Sequence, residues 1–391
     1  MRKAIYFVGA GLSKALQRDQ GIPVPLLTDF VKVAAHYAAA DVVSLLTLTG
    51  LVRLGRFGWK SSEALELARA FDPQNRDERL VRAFVDALRR LPAESIEDLL
   101  AREDVGAEFY ESAVFDAPIR FRYAISRIFS LIGWNVRLDL LHTFLSDILK
   151  NEAQHTVVSF NYDLFLDRAI SESVKDWHWH CGYGFEVPYA VTADPTDHGV
   201  DAQSAGAHVC QSLVRLLKPH GSLNWLLPVH QPSAAMPFCD GPTTVRVDSV
   251  GRPEYVNTLE LWPRVLYPNG NWPGQQVGLG IVAPLRRKET ALKILKDTRT
   301  EEFTAVLEAD EAFVLGWSIP ETDDDQRSLI RYAASMRAKP LDRVVVVNLN
   351  QPPDYFERIA ETFIVNSSSV QTWNDGFSDY MRAYIGEEKI P

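Results

Sequence analysis

The chain has 391 residues, 46% of them apolar and 24% charged, ordinary values for a globular protein with length enough for one large domain or two. Its formal charge of −10, with Arg and Lys scattered apart from Arg286-Arg287-Lys288, argues against a duplex nucleic-acid binder, which carries a basic face. The three cysteines, Cys181, Cys210 and Cys239, form no CxxC pair, so a four-thiolate zinc site is excluded, no disulfide framework is expected, and a cytoplasmic setting follows.

The first residues, Met1 to Val8, have the basic start and apolar run of a secretory leader. The run is short, however, and Gly9 and Gly11 follow at once with no cleavage region. Ala4–Val8 reads instead as a buried parallel strand that feeds a tight turn at Gly9-Ala10-Gly11, with a helix from Leu12. No stretch approaches the ~18 uninterrupted apolar residues of a membrane-spanning helix, so no membrane association is expected. Gly21-Ile22-Pro23-Val24-Pro25 is a proline-stiffened loop, and Thr28 is placed to cap the next helix.

Residues 28–150 read as a mainly helical insertion. Leu80, Val81, Phe84, Val85 and Leu88 follow a helical period, and Ser95-Ile96-Glu97-Asp98 has capping-box spacing. Pro118 to Leu149 is one long helix or two, with Gly133 as the break. A β-branched run at 155–160 restores the strand pattern, and a helix follows from Leu164 to Ser171. Residues 175–275 are rich in Trp, Tyr, Gly, Pro and His and read as an irregular insertion, with Leu213–Leu217 a strand inside it. Trp177, Trp179, Trp262 and Trp272 there suit core packing or interface anchors. Gly280–Ala283, Ala312–Leu315 and Arg343–Val347 are further strand candidates, the last two flanking a helix over 322–336. Strands alternating with helices predict an α/β fold over residues 1–391: a Rossmann-like parallel sheet with helices on both faces, plus the helical subdomain.

Four segments have the residues for chemistry. Gly9-Ala10-Gly11-Leu12-Ser13 joins a strand to a helix, where glycines admit a pyrophosphate and the helix start offers N–H donors; the same residues suit a plain strand–helix turn. Ser159-Phe160-Asn161-Tyr162-Asp163 ends a strand, with Asn161 able to donate and accept, and Asp163 able to accept or to stabilise a cation; either also suits a helix cap. Lys218-Pro219-His220-Gly221-Ser222 holds an imidazole in a turn, suited to general-base work near neutral pH. Gly316-Trp317-Ser318 and Asn348 stand at two late strand ends, placed for ribose and adenine or as loop-forming and capping residues.

In succession these segments resemble the sirtuin (silent information regulator) superfamily. Gly9-Ala10-Gly11-Leu12-Ser13 is similar to its G-A-G-x-S phosphate loop, and Gly21-Ile22-Pro23 to its G-I-P. Ser159 to Asp163 is similar to its T-Q-N-x-D, His220-Gly221-Ser222 to its catalytic H-G-S, Gly316-Trp317-Ser318 to its G-T-S, and Val347-Asn348 to its I-N adenosine contact. The stretch between Ser13 and Gly21 is longer than in protein deacylases, Val24-Pro25-Leu26 replaces D-F-R, Phe160 replaces the amide Gln, and the zinc cysteines are missing. These departures argue against acyl-lysine deacylation. Ile96-Glu97-Asp98-Leu99-Leu100, Lys218–Trp225 and Gly316–Asp323 resemble the bacterial antiphage-defence branch instead. That resemblance implies NAD⁺ as substrate with no metal, and hydrolysis of the nicotinamide–ribose bond. It assigns Asn161, His220 and Asp163 to catalysis, and Gly9, Ala10, Gly11, Ser13, Gly21, Pro23, Gly221, Ser222, Gly316, Ser318 and Asn348 to cofactor binding. It also implies a homo-oligomer and an activating or regulatory protein partner, such as a motor ATPase, an Argonaute-like protein or a phage trigger protein, with no direct nucleic-acid contact. The alternatives are an NAD⁺ or ADP-ribose sensor or scaffold without turnover, and an NAD-dependent deacylase.

Overall fold

The computed structural model describes residues 2–17, 24–25, 30–38, 63–70, 77–90, 116–133, 136–150, 153–206, 212–229, 242–258, 263–268, 275–281, 293–320, 323–349 and 352–385. Strand β1 (Lys3–Val8) is the continuous apolar run, and its alternation serves two cores. Ala4, Tyr6 and Val8 pack into one, Ile5 and Phe7 into the other, as a strand buried on both faces requires. The chain turns at Gly9 into the short helix α1 (Ala10–Ala15).

The helical region holds α2 (Phe30–Ala38), α3 (Glu63–Ala70), α4 (Glu78–Arg89), α5 (Asp116–Gly133) and α6 (Leu138–Ile148) among the described residues. Asp77 caps α4 by accepting from the Arg79 N–H at 2.8 Å, and Val81, Phe84, Val85 and Leu88 form its buried stripe. Gly133 closes α5, so the stretch after Pro118 makes two helices rather than one. Thr28 and the capping-box residues from Ser95 lie outside the described residues.

Next come β2 (Gln154–Ser159), α7 (Phe165–Ser173), α8 (Trp179–Gly182), β3 (Tyr189–Val191), β4 (Val200–Asp201), β5 (Gln203–Ser204), β6 (Val214–Leu217) and β7 (Gly221–Pro228). They are followed by β8 (Thr244–Arg246), β9 (Arg264–Leu266), β10 (Gln275–Ile281), α9 (Lys293–Glu308), β11 (Glu311–Leu315) and α10 (Asp324–Ser335). The chain closes with β12 (Arg343–Val347), α11 (Tyr355–Phe363), β13 (Val370–Trp373) and α12 (Phe377–Ile385).

Six strands form one parallel sheet in the order β13-β12-β11-β1-β2-β6. Numbered by appearance in the chain, that is the 3-2-1-4-5-6 order of a doubly wound dinucleotide fold. Helices cover both faces: Val306 of α9, Ile330 of α10 and Ile359 of α11 pack on the Ile5–Phe7 side, and Leu141 and Phe144 of α6 with Tyr380 of α12 on the other. The Rossmann-like parallel sheet read from the sequence is therefore the fold observed.

The region 175–275 departs from the irregular insertion expected. Its short strands join β7 and β10 in a second, seven-stranded mixed sheet, β4-β9-β10-β7-β8-β3-β5. Strands of two or three residues leave no alternating pattern long enough to read. Of the strand expected over 280–283, Gly280 and Ile281 form the end of β10, antiparallel to β7, and 282–283 lie outside the described residues. Strand β13 carried no signal either, since Gln371 and Thr372 are exposed at the parallel sheet's edge. Trp177 and Trp179 are core residues, 7% and 6% exposed, which settles their role as packing. Cys181 is disulfide-bonded, a single bond rather than the framework the sequence argued against, and both other cysteines lie outside the described residues. Among the described residues no helix is long and apolar enough to cross a membrane.

Candidate functional site

The parallel strands end level with one another. Val8 stands opposite Leu315 and Ser159, Leu315 opposite Val347, and Val158 opposite Leu217. Gly9, Phe160, Lys218, Gly316 and Asn348 each follow one of these strands directly, so segments spread over the chain meet along one sheet edge. The strand order reverses between β1 and β11, and the carboxyl ends there are where ligands of open α/β sheets bind.

At that switch point the turn after β1 packs directly on the turn after β11. The Gly9 N–H donates to Leu315 O at 3.0 Å and the Gly11 N–H to Gly316 O at 2.9 Å. Two of the N–H groups expected to face a pyrophosphate are thus spent inside the protein. Gly316 is held at φ +65°, and a Cβ on it would strike the backbone N of Leu12. Glycine is required here by close packing and a left-handed backbone together. Ala10 and Gly11 remain half-buried at the surface.

Asn161 and Asp163 are tied to the same turn. The Asn161 amide donates to Gly9 O at 3.0 Å and to Ser13 Oγ at 2.8 Å, and Ser13 Oγ donates to Asp163 Oδ2 at 2.8 Å. All three are buried, at 8%, 4% and 5% exposure. Asp163 also accepts from the Phe165 N–H at 3.2 Å, so it caps α7 as well. Behind it the ammonium of Lys218, fully buried, donates to Asp163 O at 2.6 Å and to Asp167 Oδ2 at 2.9 Å. Asp167 further accepts from Tyr183 OH at 2.8 Å, and Tyr183 OH accepts from Asn224 Nδ2 at 3.2 Å. Lys218 thus binds the carboxylate of one buried acid, Asp167, and the main-chain carbonyl of the other, Asp163. Burial pushes the Asp163 carboxyl above its ordinary range, with Lys218, Ser13 and Phe165 pulling the other way.

His220 sits 1% exposed on the turn between β6 and β7. Its ring lies 5.6 Å from Phe160 and 6.2 Å from Tyr162, the residues flanking Asn161. Its Nε2 is 3.5 Å from Asp323 Oδ1, and Asp323 Oδ2 accepts from Trp317 Nε1 at 2.9 Å. Through Trp317 the imidazole connects to the Gly316 turn, and so to Gly9 and Gly11. Gly221, at φ +82°, is pressed onto Gly280 of β10, and Gly221 and Ser222 open β7.

Of the other expected residues, Ser318 is exposed. Asn348 is half-buried and donates to Trp317 O at 3.2 Å and to Tyr355 OH at 3.3 Å, so it braces the Gly316 turn from the next strand end. Gly21 and Pro23 lie outside the described residues. Sequence reading passed over Asp323, Asp167 and the buried role of Lys218. The spacing of Asp163 and Asp167, four residues apart on a helix start, was the one available signal. Among the described residues no group of His, Cys, Asp or Glu is placed to hold a metal ion.

No family model matches the sequence, and no curated protein matches it significantly. The chain is similar to a solved structure described as "The Structural basis of Sirtuin Substrate Affinity", at 12% identity and a TM-score of 0.41, over 99% of this chain and 94% of that one.

Proposed function

We propose that this protein is an NAD⁺ glycohydrolase, cleaving the nicotinamide–ribose bond with water to release nicotinamide, ADP-ribose and a proton. The observation that carries the reading is that Asn161 is bonded to the Gly9 turn, that His220 packs against Phe160 from the same strand end, and that the Gly9 and Gly316 turns are bonded to each other at the reversal point of a 3-2-1-4-5-6 sheet.

The reaction breaks a bond to a cationic leaving group and builds positive charge on the ribose. The electron pair of the C–N bond leaves with nicotinamide while the water oxygen bonds to the anomeric carbon. In this reading Asn161 orients the nicotinamide ribose and the attacking water. His220 takes the proton that the water or a ribose hydroxyl gives up. Asp163 orients the carboxamide or stabilises the developing cation, according to its ionisation. Gly9, Ala10, Gly11 and Ser13 hold the pyrophosphate side, and Gly316, Ser318 and Asn348 line the adenosine half.

The Asn161 amide is bonded to Gly9 O and Ser13 Oγ, and His220 is closed off from solvent. Substrate entry then requires these bonds to exchange. A quiet free chain, opened by self-assembly or by a protein partner, accords with that geometry and with a role in antiphage defence by NAD⁺ depletion. The same engaged donors favour, as a second reading, a sensor that binds NAD⁺ or ADP-ribose without turnover.

The test is product analysis after incubation with NAD⁺, with and without co-purifying partners and an acetyl-lysine peptide. Peptide-independent nicotinamide and ADP-ribose are expected. His220→Ala should lose ~10²–10⁴-fold in rate, the worth of one general base. Asn161→Ala should lose cleavage too, with the circular dichroism of both variants unchanged. Near wild-type turnover by either variant removes the assigned roles, and peptide-dependent release favours a deacylase.

A further inference from the structure

Asp323 is the N-cap residue of α10, a position where an aspartate ordinarily accepts from the first N–H groups of the helix. It makes no such bond. Its carboxylate, 3% exposed, instead takes the Trp317 indole N–H on Oδ2 and faces His220 Nε2 across 3.5 Å on Oδ1. Trp317 is itself fixed, its ring 4.5 Å from Phe160 and 6.0 Å from Phe7, and Phe160 in turn lies against the imidazole. A helix cap has been given up to hold a carboxylate beside a buried ring.

We infer that Asp323 is a positioning residue for His220: it accepts the Nε2 proton, fixes the ring's tautomer and orientation, and leaves Nδ1 as the nitrogen that takes the reaction's proton. The inference deepens the proposed glycohydrolase reading and rests on it for its catalytic meaning. A carboxylate partner keeps the imidazole in the productive tautomer and stabilises the imidazolium formed when the proton arrives. The charged and titratable groups around the ring bear on this assignment. Tyr162 faces it from the turn after β2. Lys218, on its own turn, sends its ammonium to Asp163 O and Asp167. Asp163 is bonded to Ser13. Asp323 Oδ1 lies within ion-pair distance of the ring's Nε2.

The experiment compares Asp323→Asn with wild type by NMR of histidine-labelled full-length protein, His220→Asn serving to assign the imidazole among the nine histidines. Removing an opposite charge at this distance should lower the His220 titration midpoint by about one pH unit or more. Wherever wild type cleaves NAD⁺, kcat of Asp323→Asn should fall by roughly 10²–10⁴-fold with KM little changed, and the acid limb of the pH–rate profile should move down with the imidazole. Should the Asn variant fail to fold, Trp317→Phe reads the same pair. Losing the indole donor makes the carboxylate more basic and raises the imidazole midpoint. An imidazole that titrates identically in variant and wild type overturns the assignment. If wild type releases no nicotinamide under any condition, the glycohydrolase reading falls, and the titration still decides whether Asp323 controls His220.

Discussion

Asp163 is a buried carboxyl whose ionisation bears on stability. The Lys218 ammonium bonds the Asp167 carboxylate and only the main-chain carbonyl of Asp163, and desolvation raises the Asp163 carboxyl above the ordinary value of about 3.9. The sign follows from linkage. A carboxyl whose folded pKa is raised favours folding while protonated, below its unfolded pKa, and that contribution is lost as pH rises through the folded value. Asp163→Asn cannot ionise, so its unfolding free energy should gain on wild type as pH rises from roughly 4 to 8. A constant offset in urea melts across that range would count against the buried excess charge. The strand-end positions of Asn161 and His220 were legible from the sequence, and their proposed roles rest on an amide and an imidazole suiting one chemistry. Asp323 was not, because its spacing from Trp317 has no meaning until the turn between them brings the carboxylate back onto the indole.

Among the elements, the turns after β1 and β11 act as one unit, since each supplies the other's hydrogen-bond partners. Gly316→Val would place a β-branched side chain at φ +65° and against the Leu12 backbone. Backbone strain of this kind costs about 1–3 kcal/mol, before the clash is counted. Denaturant unfolding should show a loss at least that large, together with loss of any NAD⁺ binding. A variant within about 0.5 kcal/mol of wild type, the range of a neutral surface change, would mean that the two turns are not locked as described. The strands of the parallel sheet were readable because each interior one is a short apolar or β-branched run buried almost throughout. In the second sheet five strands were hidden by a length of two or three residues and β7 by burial along its whole length, which leaves no exposed alternate positions, while β13 was hidden by its polar, half-exposed edge.

For the whole molecule, the order β13-β12-β11-β1-β2-β6 puts the reversal of winding between the two glycine turns, and a ligand bound there touches both halves of the sheet. A ligand that binds the folded state alone raises its stability by about 2.7 kcal/mol at a hundredfold excess over Kd. Thermal melts of His220→Ala, which spares the nucleotide, should therefore rise with NAD⁺ in a saturable manner, and adding Gly316→Val should abolish the rise. A melting curve indifferent to NAD⁺, alone and with partners, would count against a dinucleotide cleft at this edge. Residue types, local periodicity and the order of the motifs were settled by the chain itself, because apolar runs, glycines and caps act over a few neighbours. They determined the α/β class and the ends of most parallel strands, and they supplied the amide and imidazole that the proposed function uses. Which turns touch, which N–H groups are already spent, and which carboxylate faces His220 were decided only by the tertiary structure. Those are contacts between residues 100 or more positions apart, brought together by strand order and register, and no local preference encodes them.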